Sequence, residues 1–326
     1  MRLITKSRSA RGYTPRVCLL AAIGAAVIGL SAPVPAAVAD VMVSAPHILV
    51  HFSLPAGQQP ENIALEDDGT ADLTFAFTGQ VVRVTGDGVI HPLASLPAAP
   101  AGSAAPILGA PFTGGIVIAP DGTRYVNYST GTAALTGIWR LRRGCPPVRI
   151  AALPPTSLAN GLAMSDDGTL YVADSALGVI WRVPASGGTP TQWASGPELA
   201  PAGFLGANGL KIHDNAVWVT NTDQGTILRI PIGPGGAAGP IQTVATGLTG
   251  IDDMAFADDD TIVAALNTVS ELALVRLDGT STIVLTSADG LSNPTSVAVA
   301  GQTLYVPSAA YITRNDPNLL LAHLTR

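Results

Sequence analysis

Charge is scarce in this chain: 12% of its 326 residues are charged, against 47% hydrophobic. So apolar a composition excludes a disordered chain, and the helical heptads of a coiled coil are missing. Basic residues are few, 17 Lys and Arg against 23 Asp and Glu, so nothing forms a footprint for nucleic acid. Cysteine is almost absent too. Cys18 lies in an N-terminal apolar run and Cys145 is the other, so loss of that run leaves no intramolecular disulfide, and the fold must hold by packing. His47, His51, His91, His213 and His323 are scattered without zinc-ligand spacing. No apolar stretch approaches the ~20 residues a membrane-spanning helix needs. A G-x-S-x-G elbow is lacking. The glycine-rich residues 233–238 are followed by Pro240 outside any βαβ pattern, which argues against a dinucleotide site.

The N-terminus has a graded character. Arg2, Lys6, Arg8, Arg11 and Arg16 precede an apolar run over residues 17–30, and Ala37-Val38-Ala39 closes it. This order predicts a cleaved secretory signal over residues 1–39, leaving an exported mature domain over residues 40–326. Removing those five basic residues from the total of 17 leaves 12 against 23 acids, a net charge of −11. Such a surface suits a cation and a small-molecule substrate better than phosphate backbones or anionic lipid, and a monomer is expected.

What the chain has in quantity is short runs of Val, Ile, Leu, Thr, Tyr and Trp between Asp-Gly and Pro/Gly turns, an all-β signature. The runs repeat. Asn160-Gly161-Leu162-Ala163-Met164, with a turn at Asp166-Asp167-Gly168, matches Asn208-Gly209-Leu210-Lys211-Ile212 and Asp252-Asp253-Met254-Ala255-Phe256, and weaker copies start at Glu61, Gly114 and Thr295. Seven residues after each start stand Asp68, Asp121, Asp167, Asn215, Asp259 and Gln302, all but the last turn formers. Intervals of roughly 43 to 53 residues fit one four-stranded blade each, which predicts a six-bladed β-propeller in a single domain. The last copy holds three strands, and the segment around His47 to Phe52 is spare. Pairing it with the last blade would close the ring.

In a propeller the first strand of each blade lines the axis, so equivalent positions converge. The first column holds Glu61, Gly114, Asn160, Asn208, Asp252 and Thr295, and the second holds Asn62, Gly115, Gly161, Gly209, Asp253 and Ser296. Glu61, Asn160, Asn208 and Asp252, with Asp253 beside them, offer the oxygen donors that calcium or another hard divalent cation takes. The competing reading is that Asn-Gly and Asp-Asp only start strands as turn residues. Column two is expected to point away from the axis.

On Pro60-Glu61-Asn62, Ala159-Asn160-Gly161-Leu162, Ala207-Asn208-Gly209-Leu210 and Ile251-Asp252-Asp253, the chain resembles the calcium-dependent propellers of the senescence marker protein/gluconolactonase family. Paraoxonases and diisopropyl fluorophosphatase are relatives. The resemblance implies a calcium held by Glu61, Asn160, Asn208 and Asp252. One departure is Gly114, where paraoxonase-like members carry a histidine. The expected function is a secreted calcium-dependent hydrolase of a lactone or related ester, with Asp252 or Asp253 as the base that activates water. The alternative is a non-hydrolytic propeller with a structural metal or none, binding a small molecule or partner, or a biosynthetic enzyme like strictosidine synthase.

Overall fold

The computed structural model describes residues 41–325; the signal segment expected over residues 1–39 lies outside them. Six four-stranded antiparallel sheets follow one another around an axis. Their inner strands are Pro60–Leu65, Phe112–Ile118, Ala159–Met164, Ala207–His213, Ile251–Phe256 and the short Ala298–Ala300. In blade six, Thr303–Ser308 and Asn318–Thr325 follow, and the N-terminal strand Met42–His51 pairs antiparallel outside them, from Met42 opposite Thr325 to His51 opposite Asn318. This all-β, six-bladed ring with its N-terminal closure is the predicted architecture.

The turn residues that mark the repeat act locally. Asp68, Asp121 and Asp167 each accept the backbone N–H two residues on, at 2.9, 2.9 and 3.0 Å. The glycine that follows each takes a left-handed φ of 78° to 80°, a conformation that costs any other residue. Blade four uses Asp214 and Asn215 at φ 45° and 50° instead, the tight two-residue hairpin turn.

The core lies between blades. Trp218 of blade four packs with Met254, Ile262 and Ala264 of blade five. Polar side chains latch each blade to the next inner strand, in every case by donating to a backbone carbonyl. Thr74 reaches Gly114, Asn127 reaches Asn160, Ser175 reaches Ala207, Thr220 reaches Asp252 and Asn267 reaches Pro294. Thr295 completes the circle to Pro60 at 2.9 Å. Arg182 also crosses between blades, donating to the carbonyl of Gly236.

Candidate functional site

The candidate residues stand where the inner strands begin, at the end of the ring that also carries the loops joining one blade to the next. In five inner strands the register slips at columns one and two: between Pro60 and Asn62, Thr113 and Ile116, Ala159 and Leu162, Ala207 and Leu210, and Ile251 and Met254. Such a bulge re-aims side chains that strict alternation would send to opposite faces. Both columns therefore reach the axis.

Column one forms the upper layer. Glu61, Asn160, Asn208 and Asp252 are all buried, Asp252 being the most accessible at 9%. Asn208 donates from Nδ2 to Asp252 Oδ1 at 2.9 Å and to Thr222 Oγ1 at 2.8 Å. Its Oδ1 is buried without a hydrogen-bond partner. The Tyr311 hydroxyl donates to Glu61 Oε2. Burial pushes the Glu61 carboxyl up to about 8 against the opposing pull of the Tyr311 hydrogen bond, and the charge of Asp253 adds to the rise. Asp252 is raised well above the carboxylate range, first by burial and then by the charges of Glu61 and Asp253, with hydrogen bonds from Asn208 and Asn267 opposing. Two desolvated acids share this place.

Column two forms the layer beneath, which corrects the expectation that it points away from the axis. Asp253 accepts from Lys211 Nζ at 2.7 Å on each oxygen, from Asn62 Nδ2 at 3.1 Å, from Ser296 Oγ at 2.5 Å and from its neighbour Met254 N–H at 2.8 Å. Blades one, four, five and six thus meet at one carboxylate. The other members of column two are glycines because nothing larger fits. A Cβ on Gly115 would come within 2.6 Å of Leu162 N, one on Gly161 within 2.6 Å of Leu210 N, and one on Gly209 within 2.6 Å of Asp253 Cα. Gly114 is equally tight, at 2.7 Å from Ala159 O, so no side chain fits at column one of blade two without moving the neighbouring strand.

Two participants escaped the sequence reading. Lys211 stands three places after column one, where the other copies have Ala64, Val117, Ala163, Ala255 and Ala298, and only Lys6 joins it as a lysine. A lone lysine in a column of small apolar residues is a signal that could have found it. Tyr311 lies in the loop between two strands of blade six, outside the repeat, where no periodic signal reaches. None of the five histidines joins these layers among the described residues. His213 stacks on Phe256 at 3.8 Å, His51 pairs with Asp316, and His47, His91 and His323 are exposed.

The residues fit a hard divalent cation. The unpartnered Asn208 Oδ1 and the two raised carboxylates are the groups such an ion would satisfy and neutralise, all through oxygen. No group of three or more His, Cys, Asp and Glu side chains is arranged for a metal among the described residues. A set here must therefore draw on amide oxygens as well as on carboxylates.

No family model matches the chain, and no curated protein matches it in sequence. Solved structures do. A gluconolactonase from Xanthomonas campestris is 15% identical with a TM-score of 0.57, over 88% of this chain and 98% of that one. A PQQ-bound aldose sugar dehydrogenase from Streptomyces coelicolor is 16% identical, TM-score 0.63, over 88% and 99%. A virginiamycin B lyase from Staphylococcus aureus is 14% identical, TM-score 0.58, over 88% and 100%. Its structural neighbours thus include gluconolactonase-like proteins beside enzymes of other chemistries, and what they share with it at this identity is the propeller.

Proposed function

We propose that this chain is an exported, calcium-dependent hydrolase of a lactone or related ester, with Glu61, Asn160, Asn208 and Asp252 holding the cation where the inner strands begin. The observation that carries this reading is the buried Glu61 and Asp252 pair beside the unpartnered Asn208 oxygen. Without a cation the pair is a standing cost to the fold. A bound calcium would supply Lewis-acid polarisation of the substrate carbonyl.

The remaining roles belong to the chain. Asp252 is the nearer of the two acids to solvent and takes the proton of the attacking water. Asp253 is saturated by donors from Lys211, Asn62 and Ser296, so it acts as a positioning residue that fixes the backbone bearing Asp252. Asn208 orients the Asp252 carboxylate, and Tyr311 orients Glu61.

The test is a screen of lactones and aryl esters on purified protein, with calcium and with chelator. Calcium-dependent turnover that Asp252→Asn abolishes supports the reading. Turnover indifferent to chelation overturns the calcium dependence, and no turnover on any substrate overturns the reading in favour of a non-hydrolytic propeller.

A further inference from the structure

The two ends of the ring differ in chemistry. Because strands alternate in direction, the loops joining blades and the turns between second and third strands all share the end where the candidate site lies. Across those loops the charged residues are Glu198, Asp223, Asp289, Arg314 and Asp316. The long loop over residues 96–111 and the turn over residues 130–136 carry none. At the opposite end, turns such as Asp166-Asp167 and Asp258-Asp259-Asp260 concentrate the acids. Large apolar side chains are exposed at both ends, and in the loops of the candidate end they are Phe77, Ile107, Leu177, Phe204, Val269 and Ile312, between 37% and 61% exposed.

These apolar residues continue down to the site. Ala76, Ala105, Phe112 and Leu158 form a buried cluster with Leu108, Leu205 and Tyr311 packed against it. Phe112 and Leu158 stand two residues before column one of their blades. The Phe77 ring lies 5.7 Å from that of Tyr311 and 6.3 Å from that of Phe112. Tyr311 joins the two environments, with its ring in the apolar collar and its hydroxyl on Glu61. Ala310, just before it, takes a φ of 55°, a conformation alanine rarely adopts, and this aims the ring inward.

A polyhydroxylated substrate needs open donors and acceptors at the rim, and two of the amides there are already used. Gln59 donates to Ala309 O, and Asn293 Oδ1 accepts from both Ile312 N and Thr313 N. We infer that the site takes a lactone or ester bearing an alkyl or aryl substituent rather than a sugar lactone, and that Phe77 and Tyr311 are specificity residues that seat the substituent. This inference rests on the hydrolase reading for its chemistry, but not for its recognition.

The experiment measures kcat/KM on γ-lactones with side chains of increasing length and on a polyhydroxylated lactone, for the wild type, Phe77→Ser and Phe77→Leu. In parallel, calorimetry with calcium present follows binding of a non-hydrolysable alkyl-substituted cyclic ether and of its hydroxylated counterpart. The expected result is a rise of about two- to fourfold per methylene, flattened in Phe77→Ser and restored in Phe77→Leu, with the alkyl ether bound in preference. Turnover that favours the hydroxylated lactone with no chain-length trend overturns this inference and leaves the hydrolase reading standing. Binding of the alkyl ether without turnover of any lactone supports the inference while the hydrolase reading falls. Binding of neither ether overturns the inference.

Discussion

Glu61 and Asp252 hold the tension of this molecule in two side chains. Both carboxyls are raised above their ordinary range, Glu61 to about 8, so without a cation the folded state favours their protonated forms. That contribution to stability is present below the ordinary carboxylate range and is lost as pH rises toward about 8. Melting temperatures across pH 5 to 8.5 in chelator should fall with rising pH, and Glu61→Gln should flatten the slope. Excess calcium should flatten it as well, since the ion pairs with the charged forms. Lys211 gives a second expectation at this scale. Lys211→Met leaves Asp253 charged in a buried place; because the lysine is itself part-exposed, the loss should be about 2–3 kcal/mol in denaturant melts. Asp253→Asn added to Lys211→Met should recover part of it. The column of Glu61, Asn160, Asn208 and Asp252 was legible in the sequence because the repeat places equivalent residues on one ring. The Lys211 ion pair and the Tyr311 contact were not. One depends on which neighbour a long side chain reaches, and the other on a loop that belongs to a single blade.

At the level of the strand, the β-bulge decides what the site contains. Period-two alternation sends Asn62 and Asp253 away from the axis; the register slip after Pro60 and after Ile251 brings both back to it. A bulge leaves no mark in residue type here, so the strands and turns could be read while the aim of column two could not. The glycines of that column have a different cause, which is contact. Gly209→Ala would drive a methyl against Asp253 in the neighbouring inner strand. It should cost about 1–3 kcal/mol and weaken calcium binding through displacement of the 252–253 backbone, measured by thermal melts and calorimetry. Gly168→Ala sits at a turn open to solvent and meets only the cost of its left-handed φ of 79°, about 1 kcal/mol. It should leave calcium affinity unchanged.

For the whole molecule, the ring is closed by its first strand and by a circle of side-chain latches ending at Thr295 and Pro60. A chain that begins after residue 52 would expose the edge of Asn318–Thr325, and it should lose its single cooperative melt and associate, as followed by light scattering. The closure was legible because the spare strand and the three-stranded last copy complement each other in count. The unequal ends were not, since the exposure of Phe77 or Phe204 depends on how loops pack around a closed ring. Closure also explains why the acids can be concentrated at the axis: six inner strands held by packing and latches bring together groups that repel one another. Such a ring needs something to compensate Glu61 and Asp252. Calorimetric titration of calcium into chelator-stripped protein, for the wild type, Glu61→Gln and Asp252→Asn, measures this directly. The expected result is one calcium per chain in the wild type with a raised melting temperature, and no binding in either variant while the β circular dichroism persists. A wild type that binds no calcium, with an unchanged melting temperature, would contradict it.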